Sequence, residues 1–321
     1  MPRPISDGAS GVTVMVTGTG GAAGVAVVRA LLSKGHRVVA ADADPSAVGL
    51  RLGHDRGVLP AGSHPDFVEE VCVLAARTGT QIVVPTVAEE LVALAEGDHA
   101  LSDAGIRTWV PAPEAVERCT DKWTFAKVLG EAQVLTPATA LGEDLSVPGP
   151  WVVKPRFGRG SRDVYLVDEP DELHWAVRRV REPIVQTRLE GWEFTVDALV
   201  DRAGELVGAV PRRRLETKAG ISTKGLVFEG RAVVADVARV LQAIGLTGPA
   251  NVQGFVGPDD AVTFVEVNPR FSGGLPLSLA AGADLVGEYL RGVVGDPVRP
   301  ERLEFRPGVT MLRHFDEVFE G

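Results

Sequence analysis

The chain has 321 residues, of which 45% are hydrophobic and 24% charged, the composition of an ordinary globular protein with two or three packed units. Its formal net charge of −10 argues against nucleic acid or an anionic membrane surface as the main partner. Cys72 and Cys119 lack metal-ligand spacing, and no apolar run reaches membrane-spanning length. The first residues lack a signal-peptide pattern, so we expect a cytoplasmic protein.

The N-terminal region carries most of a dinucleotide-binding fingerprint. An apolar run from Val12 leads into Gly18-x-Gly20-x-x-Ala23, and Asp42 ends the next apolar run. Such glycines allow a tight strand-to-helix turn, and an acid at this distance is typical of a ribose contact. The pattern leaves open an NAD(P)-dependent oxidoreductase.

The chain divides into three regions by its pattern of apolar runs. Strand-like and helix-like segments alternate over residues 1–114, which predicts a Rossmann-like, doubly wound parallel sheet. From residue 115 onward, runs of strands lie beside separate helices, which favours α+β units. We divide this part into a small unit, 115–184, with a glycine loop, and a larger C-terminal unit, 185–321.

The run FVEVNPRFSGG carries the clearest chemical pattern. In an extended strand, Glu266 and Asn268 face the same side, and Arg270 follows them. A carboxylate, an amide oxygen and a guanidinium in this order suit Mg²⁺ together with a phosphate. The run NVQG offers a second pair of oxygens on one face, Asn251 and Gln253. We therefore predict a metal and phosphate site here.

A second pattern is the run VVKPRFGRGSRDV. Lys154 ends a predicted strand, and Gly158, Gly160 and Ser161 follow it. Backbone N–H groups of a flexible glycine loop can close over phosphates, while a lysine supplies a point charge. The chain has 33 lysines and arginines but only six lysines, so Lys122 and Lys154 are candidates for positions that need a compact ammonium.

The segment PRRRLETKAGISTKG concentrates cations in an otherwise acidic chain. One interpretation is a solvated basic loop. The other is a mobile lid whose cations meet the γ-phosphate and a substrate carboxylate, with Arg214 on the substrate anion and Lys224 as a further catalytic group.

In their order, these motifs resemble the ATP-grasp superfamily, and within it a single module of carbamoyl phosphate synthetase large subunits. The shared motifs are DK opening a helix, VVKP before a glycine loop, EGWEFTVD, NVQG and EVNPR. The resemblance covers nearly the whole chain, because TGTGGAAG and VVPTVAEEL also look like the leading domain of that family. It implies two α+β subdomains that clasp ATP, preceded by a Rossmann-like domain.

The resemblance also implies roles for individual residues. Lys122 and Lys154 would contact the phosphates, the segment that begins at Gln186 would line the adenine, and Glu193 would hold the ribose. The full predicted ATP-binding set is Lys122, Lys154, Gly158, Gly160, Ser161, Gln186, Thr187, Leu189 and Glu193. The Mg²⁺ ligands, with Mn²⁺ as an alternative ion, are Gln253, Glu266 and Asn268. Arg270 would stabilise the transferred phosphoryl group. Together with Arg214 and Lys224 from the basic segment, it makes up the predicted catalytic set.

The implied activity is an ATP-dependent ligase that joins a small carboxylic acid to an amine through an acyl phosphate. The expected partners are these small molecules, with no nucleic acid and no membrane, and a homodimer is a candidate assembly. Two alternatives stay open: an oxidoreductase that uses the N-terminal glycine turn, and a non-catalytic ATP-binding module or subunit. In the ligase interpretation, the turn from Gly18 to Gly24 faces the ligase cleft, where its helix helps to bind a substrate anion.

Overall fold

A computed structural model describes residues 11–142, 144, 146–158, 160 and 162–320. The first unit is a parallel sheet with strand order β3–β2–β1–β4 and helices packed around it. Its elements are β1 (Thr13–Val16), α1 (Ala22–Ser33), β2 (Arg37–Asp42), β3 (Asp55–Val58), α2 (Phe67–Thr78), β4 (Ile82–Val84), α3 (Leu91–Glu96) and α4 (Asp98–Asp103). The predicted Rossmann-like parallel sheet is confirmed.

A small antiparallel sheet of order β5–β8–β6–β7 follows, with two helices before it. Its elements are α5 (Pro113–Thr120), α6 (Lys122–Glu131), β5 (Thr139–Leu141), β6 (Trp151–Pro155), β7 (Tyr165–Val167), α7 (Pro170–Arg179) and β8 (Pro183–Thr187). Helix α7 packs on this sheet through Leu173 and Ala176, which share a small core with Val153 and Val185.

The C-terminal part forms a larger antiparallel sheet of order β13–β12–β9–β10–β11–β14. Its elements are β9 (Trp192–Val200), β10 (Leu206–Lys218), β11 (Ile221–Val227), α8 (Arg231–Ile244), β12 (Gly248–Val256), β13 (Val262–Asn268), α9 (Leu275–Ala280), α10 (Leu285–Val293) and β14 (Thr310–Leu312). Antiparallel sheets beside a parallel one confirm the predicted α/β and α+β organisation.

The basic segment forms the β10–β11 hairpin instead of a loop. Lys218 pairs with Ile221, and the two residues between them, Ala219 and Gly220, have φ of 49° and 76°. Positive φ at both central residues is the geometry of a tight hairpin turn that matches strand twist. The segment is therefore held in register across the large sheet.

Two cores enclose the large sheet. On one side, its strands pack against α8, α6 and α5 through Phe194, Val196 and Val237. On the other side, α9 and α10 share a single core with α1 and the first sheet. Trp109 stacks on Tyr289 of α10 in this core, with ring centroids 5.6 Å apart. The first unit is thereby fixed against the large sheet.

None of the helices in the described ranges combines the length and the apolar character needed to cross a membrane. The boundaries proposed at residues 114 and 184, the cytoplasmic location and the homodimer stay predictions.

Candidate active site

Polar side chains lie in two rows across the middle of the large sheet. Gln253 on β12 pairs with Glu266 on β13, and Asn251 pairs with Asn268 on one side and with Asp197 of β9 on the other. Directly paired residues lie side by side, and residues two apart on a strand share a face. The predicted oxygen ligands therefore occupy one face of the sheet.

The end of β13 is organised by side-chain hydrogen bonds. Asn268 Nδ2 donates to Glu266 Oε1 over 3.1 Å, and Arg270 Nη2 donates to Asn268 Oδ1 over 3.0 Å. Arg270 Nη1 also donates to the carbonyl of Phe271 over 2.9 Å. The three residues that the sequence singled out are thus linked by hydrogen bonds that orient the carboxylate and the guanidinium.

Arg214 connects this group to β9. Its Nη1 donates to Glu193 and, over 3.3 Å, to Gln253 Oε1, while its Nη2 donates to the carbonyl of Gly220 over 2.8 Å. Burial raises the pKa of Glu193, an effect that the neighbouring Arg214 opposes and the charge of Glu266 strengthens. The arginine predicted for the substrate anion and the acid predicted for the ribose are therefore in direct contact.

Two lysines of the small unit face Glu266. Lys122 begins α6 and is buried, and Lys154 lies on β6. Burial lowers the pKa of both, to about 8 for Lys154, and the carboxylate of Glu266 acts against that shift in each case. The charge of Lys122 lowers the pKa of Lys154 further. Two ammonium groups whose charges interact with one carboxylate suit a polyphosphate and its metal.

The glycine loop begins next to Lys122, whose Nζ donates to the carbonyl of Gly158 over 2.9 Å. Gly160 has a φ of 66°, a left-handed backbone that glycine adopts without strain. Ser161, also predicted to bind phosphate, lies outside the described residues. The structure thus places Gly158, where the loop begins, against Lys122.

Asp121 holds the start of α6 and the start of this loop together. As the N-cap, it accepts hydrogen bonds from the backbone N–H of Trp123 and Thr124 over 3.0 and 3.3 Å. It also accepts from Arg156 Nε over 2.7 Å. Although burial raises the pKa of Asp121, the Arg156 guanidinium and these other donors outweigh it and lower the pKa to about 2.

The residues predicted for adenine lie where β8 leads into the large sheet. Gln186 Nε2 donates to Thr139 Oγ1 over 2.9 Å, and Thr187 Oγ1 donates to the carbonyl of Pro148 over 2.8 Å. Leu189 follows, partly buried, before β9 begins. The three residues are close together between the two sheets, and their adenine role stays a prediction.

Lys224 is the predicted site residue that the structure does not bring to the group. Its Nζ donates to Glu216 Oε2 over 2.7 Å, and its side chain is half exposed. The next residue, Gly225, pairs with Arg214. Because successive strand residues point to opposite faces, Lys224 points away from the face that carries Arg214. Its catalytic role has no support from this geometry.

The predicted metal ligands fit Mg²⁺ rather than a metal held by protein alone. In the described part of the chain, no cluster of three or more His, Cys, Asp or Glu side chains is placed to hold a metal. Gln253, Glu266 and Asn268 offer one carboxylate and two amide oxygens on one face. Mg²⁺ in phosphate-transfer sites takes one or two carboxylates and completes its shell with waters and substrate phosphates.

A buried hydrogen-bond network that is centred on Asp197 was not predicted from the sequence. Asp197 accepts from Arg212 Nη2 over 2.8 Å and from Ser278 Oγ over 2.6 Å, and Arg212 Nη2 also donates to Ser272 Oγ over 3.0 Å. The available signal was the spacing of Glu193 and Asp197, which are four apart and therefore share a strand face.

The residues of the N-terminal dinucleotide-binding fingerprint contact one another within their own turn. Gly20 N–H donates to one oxygen of Asp42 over 2.6 Å, and Asp44 N–H donates to the other over 2.9 Å. A Cβ on Gly24 would lie 2.3 Å from the carbonyl oxygen of Gly18. The glycines allow a close strand–helix approach, and Asp42 holds the turn with the oxygens that a ribose would need.

Comparisons with known proteins relate the chain to ATP-grasp proteins. Residues 179–314 match the family model described as ATP-grasp in the biosynthetic pathway with Ter operon. The large chain of carbamoyl phosphate synthase from Mycobacterium tuberculosis (strain ATCC 25618 / H37Rv) is 28% identical over 238 residues, which cover 66% of this chain and 21% of that protein. The chain therefore matches about a fifth of the length of this relative.

Two solved structures share the fold over most of the chain. The L-amino acid ligase from Bacillus licheniformis has a TM-score of 0.73 at 18% identity, covering 94% of this chain and 78% of that one. The biotin carboxylase domain of the 2-oxoglutarate carboxylase from Hydrogenobacter thermophilus, solved with MgADP and bicarbonate, has a TM-score of 0.70 at 19% identity and covers 93% and 73%.

The fold over most of the chain and the ATP-grasp family model matched by residues 179–314 agree with the resemblance to the ATP-grasp superfamily that the motifs predicted. Within that superfamily it is similar to one module of the carbamoyl phosphate synthase large chain. The relatives carry the names of synthases, ligases and carboxylases, in agreement with the predicted enzyme class, and MgADP in a neighbour agrees with ATP and Mg²⁺ as ligands.

Proposed function

We propose that the protein is a carboxylate–amine ligase that uses ATP and Mg²⁺, forms an amide bond through an acyl phosphate, and releases ADP and phosphate. The observation that carries the proposal is the charge interaction of Lys122 and Lys154 with Glu266, together with the hydrogen bonds that join Glu266, Asn268 and Arg270. This is a site for a triphosphate and a second anion.

In the first step, a carboxylate oxygen of the acid attacks the γ-phosphorus of ATP, the bond to the β–γ bridging oxygen breaks, and ADP leaves. The barrier comes mainly from bringing two anions together, so positioned positive charge is the main catalytic contribution. Lys122 and Lys154 would hold the phosphates, and Arg270 would lie against the transferred group. Mg²⁺ held by Gln253, Glu266 and Asn268 would supply further charge neutralisation when bound.

In the second step, the nitrogen of the amine attacks the carbonyl carbon of the acyl phosphate. The carbon–oxygen bond to phosphate breaks, inorganic phosphate leaves, and the nitrogen loses a proton to solvent. The glycine loop around Gly158 and Gly160 would shield the acyl phosphate from water. The L-amino acid ligase among the neighbours supports amino acids as first candidates for both substrates.

The test is a screen for ADP release with ATP, Mg²⁺ and pairs of acids and amines, with bicarbonate among the acids. We expect at least one pair to stimulate ADP formation and to yield an amide, or a carbamate from bicarbonate, detectable by mass spectrometry. Glu266→Gln should reduce that turnover at least about a hundredfold, as loss of a catalytic electrostatic group does. Glu229→Gln, which removes an exposed carboxylate paired with Arg231, should leave it unchanged.

Absence of stimulated ADP release across the panel would favour the alternative of a non-catalytic ATP-binding module. The oxidoreductase alternative receives no support from the geometry, because both oxygens of Asp42 bind backbone N–H groups of their own turn.

A further inference from the structure

A second group of cations lies at the turn that follows Arg270. Arg212 is only 2% exposed and donates from Nη2 to Asp197 and Ser272. Arg313, at the solvent side, donates from Nε to the carbonyl of Ser222 over 3.0 Å and from Nη2 to the carbonyl of Gly273. The two guanidinium groups therefore border the same FSGG turn.

This cluster carries more positive than negative charge. Asp197 is the one carboxylate paired with Arg212 among the described residues, and the assigned partners of Arg313 there are backbone carbonyls. The pKa of Arg313 is lowered by burial and then by the charge of Arg212, so the two cations interact. Arg212 Nε is buried and has no hydrogen-bond partner in the described structure. A buried donor without an acceptor is costly, and a bound anion would lower that cost.

The N-terminus of α1 meets the same turn. A Cβ on Gly273 would lie 3.2 Å from the Cβ of Ala22, the first residue of that helix. Helix α1 has 12 residues, and no side chain caps its N-terminus. Uncapped backbone N–H groups at a helix start favour anions. The helix end and the two arginines thus add positive potential at one place, which the carboxylate of Asp42 on the Gly20 N–H partly offsets.

The cluster is separated from Glu266 by the width of three strand pairs. Arg212 pairs with Thr195, Thr195 with Gln253, and Gln253 with Glu266. At roughly 4.8 Å per pair, the backbones of Arg212 and Glu266 are roughly 14 Å apart. Their side chains extend over the same face, and the FSGG turn directly follows Arg270 in the chain.

We propose that Arg212, Arg313, the Gly273 turn and the start of α1 bind a second anionic group of the acid substrate, whose other carboxylate is activated near Arg270. The substrate class is then a dicarboxylic acid, which includes the acidic amino acids. This inference rests on the proposed ligase function, since it identifies the acid that the enzyme activates.

The test is isothermal titration calorimetry of the full chain with ADP and Mg²⁺ present, so that no turnover is needed. The probes are malonate, succinate, glutarate, aspartate and glutamate, each compared with its monoamide. We expect at least one dicarboxylate to bind about tenfold or more tighter than its monoamide, because a hydrogen-bonded charge is lost in the amide.

Arg313→Gln should abolish that preference, since it removes the exposed cation without exposing Asp197. Arg231→Gln is the control, because it removes an equally positive, exposed side chain at the start of α8 that pairs with Glu229. Circular dichroism melting verifies that both variants fold. Equal affinity for every acid and its monoamide, or a preference that survives Arg313→Gln, would overturn the inference.

The outcome is distinguishable from failure of the proposed function. A dicarboxylate preference without any ADP release would refute the ligase activity and keep the anion site. Conversely, ADP release with monocarboxylic acids at full rate, unaffected by Arg313→Gln, would keep the ligase and refute the anion site.

Discussion

Glu266 is the residue on which the electrostatics of the cleft depend. It accepts a hydrogen bond from Asn268 on its own strand, and its charge partly offsets the lowering by burial of the pKa of Lys122 and Lys154. Removing the carboxylate therefore does more than remove a metal ligand. It also leaves two buried ammonium groups close together without the acid that stabilises their charged forms.

The lowered pKa of Lys154 predicts a pH dependence. Lysine is charged below its pKa, so with a pKa of about 8 the phosphate-binding form is dominant at pH 7 and is lost as pH rises. We expect kcat/KM for ATP to fall about tenfold for each pH unit above about 8, because this ratio reports ionisations of the free enzyme. The measurement is steady-state ADP release from pH 6.5 to 9.5 under saturating acid and amine.

Lys154→Arg is the control, because a guanidinium stays charged over this range. Its activity, although lower, should lose the inflection near pH 8. An unchanged inflection in Lys154→Arg would show that another group causes the pH dependence.

At the level of elements, α6 depends on its N-cap. Asp121 satisfies two backbone N–H groups and pairs with Arg156. Asp121→Ala removes both the cap and a buried ion-pair partner, and should lower the free energy of unfolding by about 2–5 kcal/mol at pH 7. Asp171→Ala, in the first turn of α7 but not a cap, should change it by less than about 0.5 kcal/mol. Urea unfolding measures both.

The same contacts of Asp121 determine how its contribution to the free energy of unfolding changes with pH. The pKa of Asp121 is about 2, below the unfolded value of about 3.9, so its stabilisation is complete above about pH 5 and is lost as pH falls towards 2. The difference between wild type and Asp121→Ala should therefore shrink over that range. A constant difference would contradict the ion-pair explanation.

Replacing each of two helical glycines by alanine should have opposite effects on the stability of the protein. A Cβ at Gly24 of α1 would be 2.3 Å from the Gly18 carbonyl oxygen, whereas nothing lies within 4 Å of a Cβ at Gly130 of α6. Gly24→Ala should destabilise the protein by about 1–3 kcal/mol. Gly130→Ala should stabilise it by about 0.5–1 kcal/mol, the difference in helix propensity. Thermal melting compares them, and two changes of the same sign would refute the packing role of Gly24.

The sequence predicted those site features that depend on local geometry. The two-residue period of a strand places Glu266 and Asn268 on one face in any extended chain. The network of Asp197, Arg212 and Ser278 depends instead on non-local pairing, because these residues meet only when β9, β10 and α9 come together. The basic composition of its segment did not predict on which face of the sheet Lys224 lies, because that face depends on the register of β10 with β11.

At the scale of the whole molecule, the glycine fingerprint has a role other than the one its motif is typical of. The first sheet and α1 share a core with α9 and α10, so the turn from Gly18 to Gly24 is fixed against the FSGG turn after Arg270. A strand–turn–helix unit that binds dinucleotides elsewhere here packs beside the turn that follows Arg270. That this turn faces the ligase cleft stays a prediction.

This organisation predicts which nucleotide stabilises the folded chain. ATP with Mg²⁺ at about 100 times its Kd should add about 2.7 kcal/mol, which corresponds to a rise in Tm of about 4–8 °C. NAD⁺ and NADP⁺ should leave Tm unchanged, because Asp42 is engaged by Gly20 and Asp44. Differential scanning calorimetry measures each shift.

Paired lysine variants locate the stabilising site. Lys154→Gln should lose most of the shift with ATP, because it removes an ammonium from the cleft. Lys127→Gln, on the exposed side of the same small unit, should keep it. A shift with NAD⁺ of the same size, or an ATP shift that Lys154→Gln leaves intact, would place the nucleotide at the N-terminal turn and contradict the cleft between the two antiparallel sheets as the ATP site.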